Sequence, residues 1–250
     1  MFTLKKSLGQ HFLKDESISE RIVAALQAHP FSRLLEVGPG GGALTKYLLN
    51  IPSIEFKVVE IDKEKIDFLS TTFPALQGHI LEGSILEIPC PFQEKFTVIG
   101  NFPYNISTQI VFRIIEWRTH VETMIGMFQK EVAQRICASP GSKEYGILSV
   151  LTQAYYKTEY LFDVDEQAFN PPPKVKSGVI RFTYLGNPFG IAKHEKFQKL
   201  VKAAFGQRRK QLRNPLKPYF DPAVLKGDIF TKRAEQLSVQ DFVDLLNMMR

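Results

Sequence analysis

Cysteine is nearly missing from this sequence: Cys90 and Cys137 are the only two among 250 residues. That is too few for a disulfide framework or a cysteine-rich metal site. The five histidines are scattered without ligand spacing, so no metal centre is expected. Long apolar runs are missing too. No stretch approaches the roughly 20 consecutive apolar residues that span a bilayer, and the opening MFTLKKSLGQHFLKD has no apolar run behind its lysines, as a signal peptide would. Internal repeats and low-complexity tracts are also lacking. These gaps leave a soluble globular chain with no membrane contact, expected in a reducing cytoplasm. With no long exposed apolar stripe left over, a monomer is expected.

What is present points to two parts of unequal character. A hydrophobic fraction of 44% over 250 residues suffices for one large core and a small second domain. Residues 186–250 carry 13 Lys+Arg against 6 Asp+Glu, whereas residues 1–185 carry 19 against 20. The net charge of +6 therefore comes entirely from the C-terminal quarter. A basic module beside a nearly neutral one fits a catalytic body with an arm for a polyanion, nucleic acid being the commonest. A solubilising cationic surface is the alternative.

Apolar strands alternate with helical patterns along the first part. The spacing predicts a helix over 17–28, with Ser17 as a possible N-cap. RLLEVGPGGGALTKYLL reads as strand, glycine turn and helix, and FKVVEID as a second strand before a helix over 63–73. A short strand near ILEGSILEI, a strand ending at NFPY, a helix over 107–116 and a strand–helix pair in MIGMFQKEVAQRI follow. A helix over 145–155 leads into 158–164, and VKSGVIRFTYL closes the series as a strand. This alternation predicts an α/β fold with a mostly parallel sheet covered on both faces. The turn-rich YLGNPFG at 184–190 marks the boundary between expected domains 1–186 and 187–250. Helices are expected beyond it over 193–206, 208–217 and 238–249.

Glu36-Val37-Gly38-Pro39-Gly40-Gly41-Gly42 lies between a strand and a helix, where glycines let the backbone approach a ligand without Cβ clashes. Glu60 ends the next strand, where a carboxylate can accept from both ribose hydroxyls. The pair signals an adenosyl cofactor. A dehydrogenase turn reads GxGxxG. Here the spacing is GxGxG with Pro39 inside it, which leans towards S-adenosylmethionine, a cofactor with no pyrophosphate to seat on the helix N-terminus.

Asn101-Phe102-Pro103-Tyr104 is the most specific feature. The exocyclic amine of adenine is a poor nucleophile because its lone pair is delocalised into the ring. Two acceptors on its N–H groups, the Asn101 side-chain oxygen and the Phe102 carbonyl, favour a pyramidal nitrogen with its lone pair aimed at a methyl sulfonium. Pro103 holds the backbone in shape, and Tyr104 supplies a ring for the base to stack on. A base must leave its stack to enter such a pocket.

These motifs together resemble the KsgA family of ribosomal RNA adenine dimethyltransferases. The resemblance runs nearly end to end, through KSLGQHFL, EVGPGGGALT, VEID, GNFPYNIST, FQKEVAQRI, FNPPPKV and AFGQRRKQLRN in order. It implies a Rossmann-like class I S-adenosylmethionine methyltransferase with a seven-stranded, mostly parallel sheet and a small helical C-terminal domain that binds RNA. It implies cofactor contacts at Gln10, His11, Leu13, Gly38, Gly40, Glu60, Ile61, Ser84, Ile85 and Asn101. Target handling falls to Asn101, Pro103 and Tyr104, with Phe169 as a second stacking surface. Ser84 departs from the family's usual Asp, which accepts the adenine amine of the cofactor; a serine hydroxyl is shorter and uncharged.

The implied substrate is a pair of adjacent adenosines in the 3′-terminal hairpin loop of small-subunit ribosomal RNA, free or in the assembling 30S particle, each taking two methyl groups. Arg208, Arg209, Lys210 and Arg213 on a helix are expected to present a cationic face to RNA phosphates. The rivals are an Erm-type methyltransferase acting on large-subunit RNA and a catalytically silent ribosome-assembly factor. A DNA adenine methyltransferase lacks a visible DNA-reading domain. A nicotinamide-dependent oxidoreductase leaves the NFPY site and the basic tail unexplained.

Overall fold

The computed structural model describes residues 11–250. Its elements run β1 (Phe12–Leu13), α1 (Glu16–Gln27), β2 (Arg33–Val37), α2 (Thr45–Leu48), β3 (Glu55–Glu60), α3 (Lys63–Thr72), β4 (Ile80–Glu82), β5 (Phe96–Asn101), α4 (Ser107–Glu116), β6 (Val121–Gln129), α5 (Lys130–Cys137), α6 (Ile147–Gln153), β7 (Tyr156–Val164), β8 (Phe169–Asn170), β9 (Ser177–Tyr184), α7 (His194–Gly206) and α8 (Val239–Met248).

Seven strands form one sheet in the order β4-β3-β2-β5-β6-β9-β7. Pairings from β4 through to β6 are parallel, and β9 runs antiparallel to β6. The sheet is covered on both faces. Leu34, Leu35, Val58, Val98, Ile99 and Ile125 are fully buried, so neighbouring positions on a strand are apolar whichever way they point. α4 shows the complementary pattern, burying Ile110, Val111, Ile114 and Ile115 on one face. β2, β3 and β4 step to one side and β5 and β6 to the other. The strand order thus reverses between β2 and β5, the place where sheets of this kind bind ligands.

Contacts divide the chain into two compact units: Met1–Ala133 with Glu159–Tyr184, and Gln134–Thr158 with Leu185–Arg250. The expected boundary at 186/187 lies close to the break at Tyr184. The second unit is larger than a C-terminal segment, because it also takes in the stretch that contains α6. Its core is aromatic. Tyr145, Tyr155, Phe197, Phe220, Phe230 and Phe242 are fully buried, with Phe205 and Phe242 stacked at 5.9 Å between ring centroids. Adding residues 134–158 raises the count to 16 Lys+Arg against 7 Asp+Glu, leaving the first unit with 16 against 19. The charge contrast is therefore sharper between the units than between the sequence segments.

Two local expectations are corrected. The cap of α1 is Asp15, whose carboxylate accepts from the Ser17 backbone N–H at 3.0 Å and the Ser17 hydroxyl at 2.7 Å; the helix starts before Ser17 and makes it part of its first turn. No α-helix covers 208–217, which is built of turns and a short 3₁₀ segment. The backbone N–H groups of Leu212 and Arg213 donate to the carbonyls of Lys232 and Phe230 instead of to their own preceding turn. Pro215 and Pro218 have no N–H to offer a helix. Arg208, Arg209, Lys210 and Arg213 therefore do not fan out from one helix face. No helix among the described residues is long and apolar enough to cross a membrane.

Candidate active site

The carboxyl ends of β2, β3, β4 and β5 open into a cavity of about 730 Å³, a size that suits a nucleoside-bearing ligand. Gly38, Gly40, Glu60, Ile61, Ser84, Ile85, Asn101, Pro103 and Tyr104 all line it, as do His11 and Leu13. Positions spread over more than ninety residues of sequence meet here because each lies at or next to the end of a strand.

The glycine turn is shaped by backbone needs. Gly38, Gly40 and Gly42 have φ of +67°, +56° and +80°. At Gly42 space is as binding as conformation, since a Cβ would lie 2.5 Å from the Phe73 ring. Glu60 ties the turn to the neighbouring strand. One of its oxygens accepts from Gly40 N–H at 3.3 Å, the other from Ile61 and Asp62 N–H at 2.9 and 3.0 Å. Although Glu60 is buried, these donors satisfy its charge, and Oε2, which accepts only once, keeps a lone pair for a ribose hydroxyl. Glu36, under the turn, is only 2% exposed and accepts one hydrogen bond, from the Thr45 hydroxyl at 2.7 Å. Burial pushes its carboxyl up to about 8, with the nearby Glu60 charge adding to the rise and the Thr45 bond opposing it.

Asn101-Phe102-Pro103-Tyr104 is fixed at three points. The Asn101 amide nitrogen donates to the His11 carbonyl at 3.2 Å. A carbonyl only accepts, so this contact sets the orientation of the carboxamide and leaves Oδ1 as the acceptor. The Tyr104 hydroxyl bonds the buried Ser177 hydroxyl at 2.5 Å, and burial holds the phenol above its usual range, against the Ser177 bond. The Phe102 ring is buried and packs edge-on against Phe128, with centroids 5.1 Å apart. Its seat is a gap in the sheet. Gly100 and Gly126 are register partners on β5 and β6, and a Cβ on either would fall 2.6 or 2.4 Å from that ring. With its ring sunk there, Phe102 offers the cavity its main chain.

The rim is closed by β1, which pairs antiparallel with β8. His11 Nδ1 donates to the Pro171 carbonyl at 2.9 Å, and its ring lies 5.5 Å from that of Tyr104. The Phe12 ring passes over Gly40, 3.4 Å from where a Cβ would sit, and the buried Lys65 ammonium stands 5.0 Å from the same ring. Gln10 lies outside the described residues. Phe169 is not at the cavity. It is fully buried in the apolar cluster with Leu13, Ile18 and Val179, although its neighbour Asn170 lines the cavity. Glu36, Lys65, Phe12 and Ser177 were not singled out as site residues. Of these, only Glu36 carried a local signal, as the last acidic residue before the glycine turn.

Ser84 stands where the resemblance leads one to expect an Asp. Its hydroxyl accepts from Leu86 N–H at 3.2 Å, starting the turn after β4. An aspartate keeps that turn and adds a charged acceptor, worth roughly 1.5–3 kcal/mol to a bound donor. Ser84→Asp is expected to tighten S-adenosylmethionine about tenfold or more by titration calorimetry; an unchanged dissociation constant would mean that position 84 does not meet the cofactor base.

The sequence matches the family model of ribosomal RNA adenine dimethylases over residues 1–250. The ribosomal RNA small subunit methyltransferase A of Cytophaga hutchinsonii is 49% identical over 249 residues, 98% of this chain and 96% of the relative. That of Flavobacterium johnsoniae is 52% identical over 246 residues, 96% and 94% of the two chains. Among solved structures, a dimethyladenosine transferase from Plasmodium falciparum aligns with a TM-score of 0.81 at 25% identity, covering 96% of this chain and 99% of that one. The 23S rRNA methyltransferase ErmE aligns at 0.69 and 25% identity, covering 94% and 99%.

Proposed function

The chain belongs to the ribosomal RNA adenine dimethylase family, and we propose on that premise that it moves methyl groups from S-adenosylmethionine to N6 of two adjacent adenosines in the 3′-terminal hairpin loop of small-subunit ribosomal RNA. One observation carries the reading: the carboxamide of Asn101 is turned so that its oxygen is the free acceptor, at the same cavity as a glycine turn and Glu60. The cavity suits the cofactor. Glu60 Oε2 supplies an acceptor for a ribose hydroxyl, the glycine turn admits a close backbone approach, and Ile61 and Ile85 give apolar surface for a purine.

S-adenosylmethionine supplies an electrophilic methyl group on a positively charged sulfur. The residues of the chain do the rest. Tyr104, its hydroxyl held by Ser177, presents a ring to an adenine drawn out of its stack. Asn101 Oδ1 and the Phe102 carbonyl accept the two N–H groups of the amine and orient its lone pair. The nitrogen becomes acidic as the new C–N bond forms, so a strong base is not required. A monomethylated amine keeps one N–H, so the same acceptors orient it for a second transfer. The dimethylated product has none and loses both bonds. The basic second unit is the arm for RNA phosphates, and the assembling small ribosomal particle in the cytoplasm is its partner.

The test is to incubate the protein with labelled S-adenosylmethionine and unmethylated small subunits, and separately with large-subunit RNA, then digest to nucleosides. Dimethyladenosine from the small subunit alone is expected. Label in the large-subunit RNA instead would reassign the substrate to that of ErmE-like enzymes. RNA binding with no transfer to either would leave a fold kept for assembly alone. The relatives near 50% identity named for the small subunit, against 25% for ErmE, favour the first outcome.

A further inference from the structure

Within the second unit, the loop over residues 138–145 is held along its length. At its start, the Gln153 amide donates to the carbonyls of Ile136 and Ala138, both at 2.9 Å. In its middle, Gly141 N–H donates to the Glu235 carbonyl at 2.7 Å, and Arg208 Nη2 donates to the Lys143 carbonyl at 2.6 Å. At its end, Tyr145 is fully buried with its ring edge-on to Phe205. Lys143 itself is exposed and, among the described residues, has neither carboxylate nor hydrogen-bond partner for its ammonium. It is a cation on a fixed backbone, joined directly to the run Arg208-Arg209-Lys210.

Arg208 differs from the cations beside it. One face of its guanidinium serves the Lys143 carbonyl. Its Nε lies 3.9 Å from Glu235 Oε2, a buried oxygen with no hydrogen bond of its own. Arg209, Lys210 and Arg213 are exposed and unpaired among the described residues. A planar fork that serves two acceptors in different directions is something a lysine cannot replace.

We propose that the 138–145 loop is a second RNA-contacting element, in which Lys143 meets a backbone phosphate alongside Arg209, Lys210 and Arg213, while Arg208 is a positioning residue that holds the loop. The inference rests on the reading of this chain as a ribosomal RNA methyltransferase. A loop already ordered before binding loses little conformational entropy on contact, so one added phosphate contact there is not cancelled by ordering.

The test measures binding of the full chain to unmethylated small subunits over a series of salt concentrations. Lys143→Ala is expected to weaken binding roughly threefold to tenfold at low salt and to make the log–log salt slope shallower by about 0.7–0.9, the value of one phosphate contact, with S-adenosylmethionine affinity unchanged. Arg208→Lys keeps the charge but is expected to show the same shallower slope, and the double variant to lose little more than either single one. Wild-type affinity and slope for Lys143→Ala, with an Arg209→Ala/Lys210→Ala variant weakened, would overturn the proposal while sparing the parent reading. Arg208→Lys binding like wild type would overturn the positioning role. Failure of the wild-type protein to bind small subunits at low salt would instead sink the parent reading.

Discussion

Asn101→Ala is expected to lower kcat for transfer to the adenine amine by roughly 100- to 1,000-fold, the cost of deleting one preorganised group aimed at a reacting centre. The substitution also cuts the bond from the Asn101 amide to the His11 carbonyl, a direct tie between the residue before β1 and the end of β5. Cofactor affinity should fall as well, by a smaller factor. Asn101→Asp separates the two jobs. A carboxylate still accepts from the amine but cannot donate to a carbonyl, and its charge repels the His11 oxygen. Single-turnover rates with saturating cofactor should therefore place Asn101→Asp between wild type and Asn101→Ala, while its cofactor affinity is no better than that of the alanine variant. Equal rates for the wild type and Asn101→Ala would remove this side chain from the chemistry.

The largest expected effect on stability comes from Glu36. In the fold its carboxyl is pushed up to about 8, from 4.5, chiefly by burial. The sign follows from proton counting. Below about pH 4.5 the carboxyl is protonated in both folded and unfolded chains, and its contribution is fully present. Between 4.5 and 8 the unfolded chain gives up the proton while the folded chain keeps it, so stability falls as pH rises, and above 8 the loss is complete. At 1.36 kcal/mol per pH unit the loss amounts to roughly 3–5 kcal/mol. Glu36→Gln keeps the shape and an acceptor for Thr45 and removes the titration. Urea denaturation at pH 5, 6, 7 and 8 should show the difference between variant and wild type growing in favour of the variant with each step. Parallel curves for the two proteins would place the Glu36 proton elsewhere.

Much of the first unit was legible because burial on both faces leaves an unmistakable mark. Strands such as LLEV and FTVIG are apolar without alternation, and each ends in residues too polar or too constrained to continue it. That pattern places Glu60 and the Asn101 turn at the ends of their strands. What escaped was decided by long-range packing. Whether Phe169 faces a cavity or the core depends on what β8 pairs with, and its partner β1 lies more than 150 residues away. The stretch over 208–217 has the charge and leucine spacing of a helix, but two donors at its centre, Leu212 and Arg213, are claimed by residues 232 and 230. Residues 134–158 show nothing in composition to assign them to the basic unit. The raised carboxyl of Glu36 is equally silent, since a glutamate before a glycine turn reads the same whether or not it is sealed from water.

The seat of Phe102 recasts what counts as part of the catalytic apparatus. Gly100 and Gly126 do not line the cavity and bear no functional group, yet a single methyl on either would meet the ring that keeps the acceptor backbone in place. Tolerance to mutation should therefore be lowest at two positions that a search for reactive side chains passes over. A smaller residue at 102 would not release either position, because a Cβ at 100 also meets the Val37 carbonyl and one at 126 also meets the Phe128 ring.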